Sequence, residues 1–252
     1  SFIGQQEQAH TCRRHALQIV DSMQELTWNN EVGLFADYYL DGQPAQKFSM
    51  QSNVLAIFGG LAKAEHFDQI FNTMFVEYPP FFQDGFAPKP DSPFFKFFLL
   101  DTAMAMDYRE WSIDYIRYYW GSMIENGATT WWQHFDPEAG TGTAEAGNLC
   151  HGSGVTPNYL LMREVAGIRP AKPGCTQIFF NPVISSVEWV QAQMPTPMGE
   201  IMVSWNIGEG GVLEASFSAD FPLEVVPVLD PNVLGEAVFR VSDDVEILDP
   251  NS

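Results

Sequence analysis

Gly167-Ile168-Arg169-Pro170-Ala171-Lys172-Pro173-Gly174 divides this chain into two kinds of sequence. Before it, apolar residues recur at steps of three and four, the period of a helix with one buried face. After it, short runs rich in β-branched and aromatic residues are separated by Pro, Gly, Asn and Asp clusters roughly every ten residues, the pattern of an antiparallel β-sandwich. The octapeptide itself can continue neither periodicity, because its prolines and glycines break both. The sequence therefore predicts an α+β multidomain chain, with an all-α domain over residues 1–170 and a β-sandwich domain over 171–252.

Working back from the boundary, Asp107 to Glu125 reads as a helix stopped by Asn126-Gly127, and Phe94 to Met106 as one started by Ser92-Pro93. His66 to Glu77, with Phe67, Ile70, Phe71, Met74 and Phe75 on one face, ends at Pro79-Pro80, and Gln51 to Ala62 precedes it. Gln5 to Leu26 carries Ala9, Cys12, Ala16, Val20 and Met23 as an apolar stripe, and Gly33 through Pro44 reads as an extended loop. Wide aromatic arcs and long connections suit a layered helical toroid better than a bundle of short hairpins. Working forward, strands are expected at Thr176 to Asn181, Val187 to Gln193, Glu200 to Asn206, Val212 to Phe217, Leu223 to Leu229 and Ala237 to Val241.

The chain has 252 residues, 46% of them hydrophobic, which suffices for a sizeable core. No apolar run approaches the roughly 18 to 20 residues of a membrane span, so a soluble chain without membrane partners is expected. Twelve basic residues against 32 acidic ones give a net charge of −20, which argues against nucleic acid as a partner. After Cys175 the only base is Arg240, so the acidity is concentrated towards the C-terminus as a solvated surface. Cys12, Cys150 and Cys175 are far apart, and the histidines form no ligand pair with a carboxylate, so neither a disulfide framework nor a metal site is expected. Gly140-Thr141-Gly142 lacks the lysine of a phosphate-binding loop, and no cofactor is implied. The opening residues do not resemble a signal peptide, and the compartment stays open.

Chemistry concentrates in two stretches, Gly127-Ala128-Thr129-Thr130-Trp131-Trp132-Gln133-His134-Phe135-Asp136 and Leu149-Cys150-His151-Gly152. Trp131 and Trp132 offer apolar faces that stack on sugar C–H surfaces, while Gln133, His134 and His151 offer partners for hydroxyls, a combination suited to carbohydrate. The plainer alternatives are that the Trp pair packs in the core, that Gly140 to Gly147 is a flexible lid, and that His151 bonds to backbone.

These stretches resemble the C-terminal portion of bacterial α-L-rhamnosidases, glycoside hydrolases with an (α/α)6 barrel followed by a small β-sandwich. The resemblance runs through nearly the whole chain: Gly33-Leu34-Phe35-Ala36-Asp37, Gln51, Gly59-Gly60-Leu61, Gly127-Ala128-Thr129-Thr130 with Trp132, Cys150-His151-Gly152, Pro157, Gly167-Ile168-Arg169-Pro170 and Pro173-Gly174. Pro195-Thr196-Pro197-Met198-Gly199 resembles the turn opening a central strand pair of that family's sandwich.

The resemblance implies inverting hydrolysis of terminal α-L-rhamnose in a glycan or glycoside, with one carboxyl group as general acid and another activating water. In the family the base is a Glu directly after the Trp of the Gly-Ala-Thr-Thr motif, and that position here is Gln133. An amide keeps the volume and the hydrogen bonds but cannot take a proton from water, so this chain alone is expected to bind without turnover. Whether the Gln is natural or introduced, the sequence leaves open. The family's Asp/Arg-rich acid motif lies in the first half of the barrel and has no counterpart here; Asp101, Asp107 and Asp114 read as solvated acids. Glu138 and Glu145 stand in the Gly-rich segment and read as surface-loop acids.

The resemblance assigns His151 to sugar contact, with Trp131, Trp132 and His134 lining the same cleft, while Ser153 replaces the family's usual Trp. Six helices against the twelve of a complete barrel imply a second half-barrel, completed by a partner chain, by self-association or by the rest of a longer protein. The other reading is a non-catalytic carbohydrate-binding or assembly relative of that fold.

Overall fold

Residues 3–86, 92–140, 147–184, 187–229 and 236–249 are described by the structure, a computed structural model. They fall into two compact units, Ser1–Gly154 and Val155–Ser252.

The first unit begins with α1, Gln6–Thr27, a helix of 22 residues. The periodicity is helical as expected, but only Thr27 is buried: Ala9, Cys12 and Ala16 are exposed, as are Leu17 and Ile19 at 58% each. The helix is tied down near its C-terminal end, where Gln24 Nε2 donates to the Leu61 carbonyl at 2.6 Å. The expected loop from Gly33 to Pro44 is more ordered than its composition suggests. β1 (Trp28–Asn29) pairs antiparallel with β2 (Leu34–Phe35), and β3 (Tyr39–Leu40) pairs antiparallel with β4 (Gln43–Pro44).

α2, Met50–Phe58, starts at Ser49, whose hydroxyl accepts from the Ser52 amide at 3.2 Å. Its Asn53 is fully buried and serves β2 as a neighbouring strand would: Oδ1 accepts from Phe35 N–H at 2.8 Å, and Nδ2 donates to Phe35 O and Ser49 O, each at 3.0 Å. α3 is Phe67–Met74, and α4, Pro93–Ala105, has Ser92 as its cap and proline in the first turn. The last helix of the unit is one run in three parts: α5 (Arg109–Ile116), a π-helical turn (Arg117–Gly121) and α6 (Ser122–Glu125).

An aromatic column holds these helices together. Trp111 meets Phe71, Phe75 and Phe81 edge-on at 5.1, 5.3 and 5.6 Å, then stacks at 5.5 Å on Tyr115, which is followed by Tyr119. Buried Lys96 of α4 lays its ammonium 4.2 Å from the Tyr119 ring centre.

The second unit opens with α7, Thr156–Leu160, continued by a π-helical turn, Leu161–Val165. Two four-stranded sheets follow. In one the order is β12-β10-β6-β5, built from β5 (Ile168–Pro170), β6 (Gln177–Phe180), β10 (Leu223–Pro227) and β12 (Val245–Ile247). In the other the order is β11-β9-β8-β7, built from β7 (Trp189–Thr196), β8 (Gly199–Ile207), β9 (Leu213–Ala219) and β11 (Ala237–Val241). Phe180 of the first sheet meets Phe217 of the second edge-on at 4.8 Å. Ile178, Val203, Trp205 and Val225 are buried with them, each contributing about 1.5–3 kcal/mol.

The expected antiparallel sandwich is corrected to a mixed one. β7, β8 and β9 are antiparallel, but β11 runs parallel to β9, and β10 runs parallel to both β6 and β12. Between β9 and β11 the chain crosses to the other sheet to form β10, and between β10 and β12 it crosses back to form β11. Each return brings the strand home in its original direction. The turn expected at Pro195 to Gly199 is a two-residue hairpin between β7 and β8, with Thr196 paired to Gly199.

Candidate functional site

α6 ends where the sequence stops it. Gly127 takes φ +90°, and the Gly127 and Ala128 amides close back onto Ile124 O and Met123 O at 2.9 and 3.1 Å. The chain then runs antiparallel to the second stretch: His151 N–H donates to Trp131 O, and Gln133 N–H to Asn148 O, both at 2.9 Å. The Thr130 hydroxyl donates to Leu149 O in the same ladder.

Along the first stretch the side chains differ in burial. Trp132 turns inward: it is 2% exposed, packs edge-on against Phe135 at 5.8 Å, and its amide donates to the buried Met123 sulfur at 3.3 Å. At that exposure its ring leaves almost no surface for a ligand in this structure, in contrast to the stacking role expected of it. Trp131, Gln133, His134 and His151 are half-buried and keep part of their surface open.

The π turn supports both stretches. Tyr119 OH donates to Phe135 O at 3.2 Å, and Trp120 Nε1 to Gly154 O at 2.9 Å. Widening one helical turn brings two consecutive aromatic residues to bear on two loops, a use of π-bulges common near functional sites. Gly154 completes the fit, since a Cβ there would come 2.5 Å from Trp131 Cβ.

Hydrogen bonding fixes the orientation of the two polar side chains. Gln133 Oε1 accepts from Asn148 N–H at 3.3 Å and from Asn148 Nδ2 at 3.1 Å, and because a backbone N–H can only donate, the accepting atom must be the oxygen. Gln133 Nε2 is thereby left to donate elsewhere. His151 Nδ1 accepts from Ser153 N–H at 3.3 Å and lies 2.6 Å from Ser153 Oγ, so a neutral ring carries its proton on Nε2. His134 Nδ1 is buried without a partner among the described residues. The chemistry on offer is therefore a set of N–H donors for hydroxyl groups beside a half-buried indole.

Glu138 is exposed in a turn in which its amide donates to Asp136 Oδ1 at 3.0 Å. Glu145 and most of the expected lid lie outside the described residues. Among the described residues no group of three His, Cys, Asp or Glu is placed to hold a metal, and no helix is long and apolar enough to cross a membrane. Sequence reasoning missed Gly147, Asn148, Tyr119 and Trp120; the pair Gly147-Asn148 carried the one usable signal, since Gly-Asn marks a backbone turn.

The bacterial α-L-rhamnosidase C-terminal domain family matches residues 167–225. An α-L-rhamnosidase of Alteromonas sp. (strain LOR) is 29% identical over 114 residues, which cover 43% of this chain and 12% of that protein. The crystal structure of a GH78 family rhamnosidase of Bacillus sp. GL1 superposes with a TM-score of 0.74 at 24% identity, covering 90% of this chain and 24% of that one. This chain is similar to part of a GH78 α-L-rhamnosidase, and the match to the family's C-terminal domain lies at residues 167–225.

Two further solved structures agree in fold. A rhamnosidase from Klebsiella oxytoca, solved with rhamnose bound, gives a TM-score of 0.51 at 20% identity over 62% of this chain and 29% of that one. The α-L-rhamnosidase of Dictyoglumus thermophilum gives 0.62 at 18% identity over 82% of this chain and 22% of its own. The chain thus corresponds to a minor part of the length of these relatives. The match to the C-terminal domain family begins at Gly167, which takes φ +78° where a Cβ would come 2.6 Å from Pro182 N. Two residues on, Arg169 bonds Glu164 at 2.5 Å, and Arg163 holds the other oxygen of that buried carboxylate at 2.6 Å.

Proposed function

We propose that this chain is the second half of an (α/α)6 barrel with the following β-domain of an α-L-rhamnosidase fold, in which a carboxylate at position 133 would complete the inverting hydrolysis of terminal α-L-rhamnose. The observation that carries this reading is the loop pair, in which Trp131, Gln133, His134 and His151 stay partly open on a rigid aromatic base. Trp131 offers the stacking face, and the Nε2 donors of Gln133 and His151 suit ring hydroxyls. An inverting hydrolase needs two carboxyl groups about 6.5–9.5 Å apart with water between them. Gln133 stands at the base position and can bind water without deprotonating it, so this chain retains sugar and does not turn it over.

The exposed stripe of α1 supports a missing half, supplied by a partner chain, by a second copy or by the remainder of a longer protein. Gln133 and Ser153 together favour a second reading, a carbohydrate-binding or assembly relative with no catalytic partner at all. The deciding experiment is hydrolysis of p-nitrophenyl α-L-rhamnopyranoside by this chain and by Gln133→Glu, with oligomeric mass on the same samples and calorimetry with rhamnose. Activity in Gln133→Glu alone supports the hydrolase reading. Binding heat without activity in either supports the binding relative, and neither heat nor activity sinks both readings for the isolated chain.

A further inference from the structure

Among the described residues, no side chain is tied to position 133 as closely as Asn148. Its carbonyl accepts the Gln133 amide at 2.9 Å, while its own amide and its Nδ2 both donate to Gln133 Oε1, at 3.3 and 3.1 Å. One residue thus grips both the main chain and the side-chain tip of another, fifteen positions away. The approach depends on the residue before it. Gly147 takes φ +66°, and a Cβ there would lie 3.1 Å from Gln133 Oε1 and 3.4 Å from His134 Cδ2.

We propose that Gly147-Asn148 is the positioning device for the side chain at 133, holding one terminal atom by two N–H donors and leaving the other uncommitted for a ligand or water. This rests on the reading of 133 as the base position and deepens it. A base that activates water must present one basic oxygen at a fixed place while its other oxygen is anchored; freedom to rotate about the terminal bond would forfeit the gain from orientation. With Gln at 133, the same grip presents Nε2 as a fixed donor, which turns a proton acceptor into a hydroxyl-binding group. Among the described residues, the titratable side chains on these two segments are His134, Asp136 and Glu138 on one and Cys150 and His151 on the other.

The test uses the 252-residue chain carrying Gln133→Glu, with the introduced carboxyl group followed by carbon NMR across pH. Two donors to one oxygen stabilise the ionised form, so that carboxyl group titrates below the ordinary glutamate value of about 4.3. Adding Asn148→Ala raises the midpoint by about half a unit to one unit, and Asn148→Asp raises it further, because a like charge then faces the carboxylate. One midpoint shared by all three proteins overturns the proposal. A second measurement avoids variants at 148: hydrogen exchange at the Asn148 amide quickens about tenfold in Gln133→Ala, which removes its acceptor, and an unchanged rate also overturns it. Neither readout uses hydrolysis, so a failed base reading with shifted midpoints remains distinguishable from a failed grip.

Discussion

Replacing Asn53 tests how the first unit holds its short strands. In Asn53→Ala, the fully buried residue 53 no longer serves the Phe35 N–H and C=O, which lose partners at 2.8 and 3.0 Å, while the Ser49 C=O keeps the main-chain N–H of residue 53 at 3.3 Å. Each buried group left without a partner costs about 1–3 kcal/mol, so for these two the lower end of the range already sums to roughly 2 kcal/mol. Asn53→Asp sharpens the argument. It keeps an acceptor for Phe35 N–H but turns lone pairs towards two carbonyl oxygens, so the folded protein favours the protonated acid and its pKa rises above the unfolded value. The sign follows: Asn53→Asp is least destabilised below about pH 3.9, the unfolded aspartate value, and loses stability as pH climbs towards the folded pKa. Urea denaturation followed by tryptophan fluorescence, with hydrogen exchange at the Phe35 amide, reads both effects. A loss under about 1 kcal/mol in Asn53→Ala, or an Asn53→Asp protein whose deficit against the parent does not vary with pH, would refute the reasoning.

The Trp pair should separate cleanly: Trp132→Ala costs about 3–5 kcal/mol of stability, whereas Trp131→Ala leaves the melting temperature nearly unchanged and abolishes calorimetric binding of rhamnose. Glu164→Ala strands the Arg163 and Arg169 guanidinium groups around a cavity left by a 1%-exposed carboxylate, and should cost about 3–5 kcal/mol in thermal or urea unfolding. Asp37 is pushed up by burial, yet the Ser49 and Ser52 hydroxyls, the Ser49 amide and the Lys47 ammonium outweigh this and hold its carboxyl below the usual range. Its contribution is therefore complete above about pH 3.9 and is lost as pH falls through the depressed folded value. Asp37→Asn should flatten that limb of an acid denaturation curve, and an unchanged acid limb would remove Asp37 from the account.

Most elements of secondary structure were legible in the sequence, because their determinants are local. Ser92-Pro93 at the start of α4, Asn126-Gly127 at the end of α6 and the Pro197-Met198 hairpin act through φ preference and a cap within a few residues. β5 and β12 are three residues each, too short for a period to declare itself, and both exist because longer strands lie beside them. Of the site, the residue types and the two stretches could be read. The pairing of Gln133 with Asn148 could not, since nothing in either stretch specifies register with the other.

Which residues can form a helix or a strand, and which carry polar chemistry, was thus decided by the sequence alone. Tertiary structure decided which face of each element found a partner. The same apolar periodicity buries Ile70, Phe71 and Met74 in α3 and leaves Ala16 and Met23 of α1 in solvent. Of two adjacent tryptophans, Trp132 lies in the core and Trp131 is half-buried, and only the pairing of this stretch with Asn148 and His151 settles which is which. Parallel pairing in the sheets has the same origin: alternation records that a strand has two faces, while its direction depends on the path by which the chain returned.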